Sequence, residues 1–560
     1  MSARKLITEY LDLWTGAVTK KSSSGRGSNG KVELTGVKKL RELILELAVR
    51  GQLLETQSVV SEEPSENYDV TRHNVGNEDY PFLKPRNWSF AKFIDVLDFQ
   101  GGGQPPKSMF SQEKRDGYVQ LLQIRDLGPN PQPVYVPEES VSKFCTEEDI
   151  LIGRYGASVG KVFWGKPGAY NVALIKLINR HGLYMPAFLY HLMTSPYGQS
   201  LFVGISRSAQ SGFSKKDVAN RVLPLPPLAE QYHIVQKVDE LMALCDRLEQ
   251  QTSDQLEAHE TLVDTLLGTL TQSENATELA DNWARLSAHF DTLFTTEQSI
   301  DKLKQTILQL AVMGRLVEQD AGDESAQELL RSLAAEERRL LSTGKLRRKN
   351  SGKTGTNQSA LQELPSGWAL APLSQLGRFS GGKTPSKSKP QFWGGHIPWV
   401  TPKDMKTQHI KGSEDRVTQL AVDEGLELYP ENAVLFVVRS GILRRMFPAA
   451  ITAVPCTVNQ DLKVLSPYLP ELSPYIQLMM LGFEQFILKN LTKTGTTVES
   501  LKFEEFANCQ FPIPPLHEQA RILERVDEVM ILCDQLKERL NQASETRNQL
   551  AEAVVEGALN

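Results

Sequence analysis

The sequence predicts an α+β protein, with two α+β domains separated by long antiparallel coiled-coil helices and related by a pseudo-two-fold internal repeat. Three observations carry this. The segment Pro224–Leu248 (PLPPLAEQYHIVQKVDELMALCDRL) returns at Pro512–Leu536 (PIPPLHEQARILERVDEVMILCDQL), identical at about fifteen of twenty-five positions without a gap. A shorter pair, Lys39–Leu53 and Lys302–Leu316, precedes each copy. Between them lie stretches with short β-like runs broken by Gly, Pro and Asn.

Each copy reads as short helix, linker, variable domain, long helix. The long helices carry apolar residues at alternating spacings of four and three: Ile234, Val238, Leu241, Cys245 and Leu248, then Ile522, Val526, Val529, Cys533 and Leu536. That spacing makes a coiled-coil face. Pro226-Pro227 and Pro514-Pro515 stand where proline is tolerated, at a helix start. The helical pattern resumes at 262–270 and 550–559. Strands are expected at Val119–Ile124, Ile150–Ile152, Ala173–Leu177, Val434–Val438 and Leu462–Leu465. The divisions that follow are an N-terminal helical segment and linker (1–79), a first domain (80–227), a central helical region (228–317), a charged, exposed helix and polar linker (318–363), a second domain (364–515) and a C-terminal helix (516–560). A weaker match, Pro85, Trp88, Ala91, Phe99, Gly101, Gly102, Pro105, Lys107 and Ser108 against Pro365, Trp368, Ala371, Phe379, Gly381, Gly382, Pro385, Lys387 and Ser388, aligns the two domain entries.

Composition narrows the function classes. The formal net charge is −6, from 62 Lys+Arg and 68 Asp+Glu over 560 residues, which disfavours indiscriminate nucleic-acid binding. The charge is unevenly spread: residues 80–227 hold about 17 basic and 11 acidic side chains, and residues 365–515 about 15 and 13. Domains that meet phosphate and helices that meet protein would divide charge this way. None of the five cysteines forms a CxxC pair, which argues against a zinc ribbon or redox motif. The N-terminus has no secretory-signal pattern and no apolar run approaches membrane-spanning length. A cytoplasmic protein with no membrane partner is expected.

The paired Pro-[Leu/Ile]-Pro-Pro-Leu-x-Glu-Gln starts at Pro224–Gln231 and Pro512–Gln519 now acquire a context. With them come the Leu-Pro-x-Gly-Trp entry at Leu364–Trp368, the run Ile397–Thr401 followed by Lys403-Asp404-Met405, and Asp149–Arg154. In this order, and twice over, they resemble the specificity subunits of bacterial type I restriction-modification systems, from about residue 38 to 560. The first copy departs from the pattern at Lys84–Trp88 and Tyr118–Leu122, and the second has Asn432–Leu435 where the first begins with Asp149. The resemblance implies two target recognition domains, each reading one half of an asymmetric, split site on double-stranded DNA. It implies long helices that set the spacing and dock two methyltransferase subunits, and further motor-nuclease subunits. It implies no cofactor in this chain, with S-adenosylmethionine, ATP and magnesium used by the partners. Two similar domains can mimic a dimer and address half-sites about one helical turn apart, roughly 34 Å.

Base reading favours arginine for guanine and amide side chains for adenine, offered from loops. The candidates are Lys107, Arg125, Arg154, Tyr155, Lys161, Arg207, Ser208, Gln210 and Lys215 in the first domain. In the second they are Lys383, Lys387, Lys403, Arg439, Ser440, Arg444, Arg445, Lys493 and Thr494. For partner docking, Glu230, Gln231, Val238, Glu518, Gln519 and Val526 are chosen, on helices Glu230–Leu248 and Glu518–Leu536 expected to pair with each other.

Other readings compete. Gly377–Thr384 fits the G-x-x-x-x-G-K-[ST] phosphate-loop pattern, but no amphipathic helix can follow through Pro385 and Pro390, and the first copy lacks the Lys-Thr. A DNA-facing glycine loop is the expectation there. Cys245 and Cys533 read as small apolar core residues rather than metal ligands. The residues before Pro226-Pro227 and Pro514-Pro515 are not those of an amino-methyltransferase motif, so methylation belongs elsewhere and no catalytic residue is expected. A coiled-coil scaffold without DNA contact remains the alternative, and basic loops on both domains argue against it.

Overall fold

The computed structural model describes residues 8–20, 32–54, 75–204, 213–344, 360, 363–495 and 498–559. The chain forms two compact units. One comprises residues 1–256 with 542–560, and the other residues 257–541. Five helices frame them: α1 (Thr35–Val49), α2 (Leu228–Gln272), α3 (Glu297–Val312), α4 (Ala326–Ser342) and α5 (Leu516–Leu559).

The first unit holds ten domain strands: β1 (Ser89–Lys92), β2 (Leu97–Gly101), β3 (Tyr118–Leu122), β4 (Tyr135–Pro137), β5 (Phe144–Cys145), β6 (Ile150–Gly153), β7 (Val162–Trp164), β8 (Gly168–Tyr170), β9 (Leu174–Asn179) and β10 (Val222–Leu225). They make an antiparallel sheet β2-β9-β6-β7, a mixed sheet β4-β3-β8-β5 and an antiparallel pair β1-β10. The second unit holds β11 (Ala369–Pro372), β12 (Gly377–Gly381), β13 (Trp393–Val400), β14 (His409–Ile410), β15 (Arg416–Val417), β16 (Val434–Val437), β17 (Ala449–Thr452), β18 (Thr457–Val458), β19 (Leu462–Pro467), β20 (Thr492–Lys493), β21 (Ser500–Leu501) and β22 (Gln510–Ile513). Their orders are β12-β19-β16-β17-β14, β15-β13-β18, β11-β22 and β20-β21. All five strands expected from the sequence form. β6 and β16 are buried at every position, as fits apolar runs covered on both faces.

Each domain enters and leaves through one two-stranded ribbon. Ala91 faces Leu223 in β1-β10, and Ala371 faces Phe511 in β11-β22. The ribbon leads through the proline pair into the long helix. A matched junction fastens this ribbon to the helices. α1 and α3 both end in a Schellman turn: Gln52 N–H donates to Leu47 O (2.9 Å), and Arg315 N–H to Leu310 O (2.9 Å). The turn glycines, Gly51 and Gly314, each have φ of +70°. A Cβ on Gly314 would stand 2.4 Å from Pro365 Cγ and 2.9 Å from Trp368 Cζ2, and one on Gly51 would stand 2.7 Å from Pro85 Cγ and 2.9 Å from Trp88 Cζ2. The same indoles donate to the first turn of the long helices, Trp88 Nε1 to Glu230 (2.9 Å) and Trp368 Nε1 to Glu518 (3.0 Å). Burial pushes the Glu518 carboxyl above its usual range, against the indole and Gln319 bonds that lower it.

The expected pairing of Glu230–Leu248 with Glu518–Leu536 is corrected. Ile234, Val238, Leu241 and Cys245 are buried within the first unit, in a core shared with Leu40, Leu43 and Leu47 of α1 and Ala551 of α5. In the second unit Ile522 and Val526 join the domain core. There Cys533 shares a smaller core with Val263, Leu267 and Leu270 of α2 and Ile300, Leu303 and Ile307 of α3. The beginning of each long helix thus shares a core with the end of the other. Inside the second unit Gln298 and Lys302 of α3 bond in step to Glu260 and Asp264 of α2, whereas Asp301 and Lys304 meet Lys537 and Asp534 of α5 in reverse order. There α2 and α5 run antiparallel. The ion pairs repeat as well: Lys39–Glu552 (3.5 Å) and Arg41–Asp246 (2.7 Å) in the first unit occupy the places of Lys302–Asp264 (2.7 Å) and Lys304–Asp534 (2.5 Å) in the second.

Two boundaries move accordingly. The units divide α2 after Leu256 and α5 after 541, so neither 228–317 nor 516–560 is one structural block. The helix expected to be exposed, α4, lays Ala326, Leu329 and Leu333 inward, and Leu329 and Leu333 join the second domain's core.

The junction generates a prediction. Trp368→Phe removes the indole donor from the buried Glu518 and leaves it only the 3.5 Å contact from Gln319. It should cost roughly 1–3 kcal/mol of stability. Trp88→Phe should cost less, because Glu230 is only part-buried. Gly51→Ala and Gly314→Ala should each cost roughly 1–3 kcal/mol through the positive φ alone. Calorimetric unfolding of the full chain checks all four.

Candidate nucleic-acid interface

In the second domain the chain leaves β16 and turns at Val438-Arg439-Ser440. The β20-β21 hairpin closes onto this turn: Leu501 N–H donates to Val438 O (2.8 Å), Arg439 bridges to Ser500, and Ser440 N–H donates to Glu499 O (3.2 Å). Ser440 then caps a short 3-10 turn, Gly441–Arg444, by accepting from Ile442 N–H (3.3 Å). Arg439, Ser440, Arg444, Arg445, Lys493 and Thr494 are thereby carried by one turn and the hairpin fastened to it. All but Ser440 are exposed. Arg444 Nε donates to Glu499 Oε1 (2.9 Å).

Lys383 and Lys403 flank the end of β13. Lys383 N–H donates to Val458 O (3.1 Å), and Val458 pairs with Val400, three residues before Lys403. Both side chains are exposed, as is Lys387.

In the first domain the matching turn follows β6. Arg154 N–H donates to Ala173 O (2.9 Å) and Gly153 N–H to Lys161 O (2.8 Å), so Arg154, Tyr155 and Lys161 lie on one short loop. Phe213 N–H donates to Arg154 O (3.2 Å), and Arg154 Nε donates back to Phe213 O (3.2 Å). The Arg154 guanidinium lies 5.3 Å from the Tyr155 ring centre. Lys107 and Arg125 stand exposed on separate 3-10 turns. Lys215 is less available than expected, because its ammonium is engaged by Asp98 (2.7 Å), which also binds Arg180. Arg207, Ser208 and Gln210 lie outside the described residues.

Gly377–Gly381 is itself strand β12, paired with β19, and the first helical turn after it is the three-residue Pro390–Phe392. A phosphate loop needs a turn opening a helix at that place. Two of the loop glycines meet neighbours within the protein. A Cβ on Gly382 would lie 2.1 Å from Asn459 O, and one on Gly102 would lie 2.1 Å from Asn171 O. Glycine is required there by the protein's own neighbouring chain.

The six residues chosen for partner docking also need correction. Glu230 and Glu518 hold the tryptophans. Gln231 bonds Leu183 O, Pro226 O and Met185 N–H, and Gln519 bonds Pro514 O. Val238 and Val526 are core residues. These side chains point into their own units. Outward on the long helices stand Leu244, Leu262, Ile531, Leu532 and Leu550. Leu244 and Leu532 occupy matching places in the repeat, as do Leu262 and Leu550.

Asp98 and Glu499, which hold basic side chains in place, escape a reading of sequence alone. Burial pushes the Asp98 carboxyl up, but the bonds from Lys215, Arg180 and Phe99 N–H outweigh it and hold it at about 2. A carboxyl lowered on folding stabilises the fold above its ordinary value of 3.8 and loses that contribution as pH falls toward 2. Asp98→Asn should therefore lower stability at neutral pH, and the difference from the unaltered chain should vanish between pH 4 and 2. Denaturant midpoints across that range test it.

The family model for the type I restriction modification DNA specificity domain matches residues 85–258 and 365–545. Each match ends within a few residues of the point where a long helix passes from one unit to the other. Over all of both chains the sequence is 31% identical to the EcoAI specificity subunit of Escherichia coli, and equally to the EcoEI specificity subunit of that organism. The crystal structure of the HsdS subunit from Thermoanaerobacter tengcongensis aligns at 17% identity with a TM-score of 0.39, covering 86% of this chain and 98% of that one.

Proposed function

We propose, from the premise that this chain belongs to the specificity subunits of type I restriction-modification systems, that the Arg154–Lys161 loop and the Arg439–Arg445 turn are the DNA-reading faces of its two target recognition domains. The chain is the DNA-recognition subunit of such a complex and is not catalytic. Such subunits act with DNA and with the modification and restriction subunits. Each domain reads one half of a bipartite, asymmetric site on double-stranded DNA. The outward leucines of α2 and α5 dock two methyltransferase subunits, which use S-adenosylmethionine. The motor-nuclease subunits use ATP and magnesium, and the whole complex works in the bacterial cytoplasm.

One observation carries this reading. In both domains a basic turn leaves a fully buried strand at the same place in the repeat and is backed by the same second segment, through Phe213 in one and Leu501 in the other. A scaffold that bound only protein would have no use for two such turns.

Long-read mapping of methylated adenines, in cells carrying the partner subunits with and without this chain, tests the role. One gapped motif should vanish with the chain, and an unchanged methylome would overturn the reading. Arg445→Ala should weaken binding evenly across sequences and reduce the salt slope of DNA affinity by about one. Leu244→Glu combined with Leu532→Glu should abolish co-purification with the methyltransferase subunits while leaving the thermal midpoint of the chain unchanged.

A further inference from the structure

Arginine distinguishes guanine from other bases by presenting two parallel N–H donors to O6 and N7, and does so best when the side chain is already directed. Arg444 is directed. Its Nε is held by Glu499, whose side chain is 10% exposed where that of Arg444 is 57% exposed. Glu499 is fixed in turn through its backbone, which accepts from Ser440 and adjoins the Arg439–Ser500 bridge. Among the described residues nothing takes the Nη1 and Nη2 nitrogens, so the distal fork stays open.

Arg154 is treated alike by other means. Its Nε is held by the carbonyl of Phe213, its guanidinium lies near Tyr155, and its Nη fork is open among the described residues. The two arginines do not occupy equivalent positions. Arg154 matches Val438 in strand register, because Phe213 bonds to it as Leu501 bonds to Val438. A shared scaffold therefore does not by itself explain the two pinned arginines. Arg439 and Arg445, by contrast, have no such tie among the described residues and suit the compliant contacts that phosphate requires.

We infer that Arg154 and Arg444 are specificity-determining residues, each reading one guanine with its Nη fork, one in each half-site, and that Glu499 is the positioning residue for Arg444. The inference rests on the DNA-recognition reading and names the side chains that do the reading. The test uses the full chain co-expressed with its methyltransferase partners, with methylated sites mapped for each variant. Arg154→Ala and Arg444→Ala should each relax a single G·C position, in opposite halves of the motif, lowering discrimination there roughly ten- to a hundredfold. Arg444→Lys keeps the charge beside Glu499 but lacks the fork, so it should relax the same position and carries the test if the alanine variant does not assemble. Glu499→Gln retains an acceptor for Nε and should preserve the motif, whereas Glu499→Leu should relax the position that Arg444→Ala relaxes. An intact motif in the arginine variants, or an even loss of methylation without relaxation, would overturn the inference while leaving the recognition role standing. No gapped motif from the unaltered chain would overturn both.

Discussion

Each domain is fastened to its helices through one indole ring. Trp88 and Trp368 lie against a helix-ending glycine on one side and donate to a carboxylate in the first turn of a long helix on the other. The ring thus joins three segments distant in sequence: the end of the short helix, the entry ribbon of the domain and the start of the long helix. Glycine is required on one side because both the space and the φ of +70° exclude a side chain. With this junction fixed, β1-β10 or β11-β22 sets the pose of the domain, and the basic turns inherit it. A recognition surface is only as well placed as the rigid elements behind it.

Much of this was legible. The repeat survives in the residues of the junction because a tryptophan, a glycine and a glutamate in mutual contact cannot vary independently. Strands β6 and β16 were legible because four consecutive apolar residues bounded by polar turns have few other uses. The seam on the long helices is legible as a buried face, but what covers it is not. Apolar spacing reports that a face is covered, not by what. The same limit turned Glu230, Gln231, Val238 and their counterparts into docking residues, when they hold their own units together. Glu499 was invisible because its partner Arg444 lies 55 residues away, and a single acidic residue in a loop carries no period. The internal need for glycine at Gly102 and Gly382 is hidden for the same reason, since the carbonyls that crowd them come from segments distant in sequence.

The charges divide by how they are held. Arg41, Lys39, Lys302 and Lys304 are spent within the units, joining helix to helix, and Lys215 and Arg180 are spent on Asp98. Among the described candidates on the basic turns, Arg154 and Arg444 are anchored at Nε by Phe213 O and Glu499. A net acidic chain can in this way present local basic surfaces, because its acidic residues are concentrated outside the domains.

The division of the chain into units has a consequence for its synthesis. The second unit, 257–541, is one continuous stretch and has all its parts once that stretch has emerged. The first unit draws on residues 542–560 as well as 1–256. Its core, which includes Ala551, must therefore wait through the translation of the entire second unit before it can close. The domain made first is the one completed last. A frameshift or stop ahead of residue 542 would injure the support of the first recognition domain, several hundred residues away from the lesion.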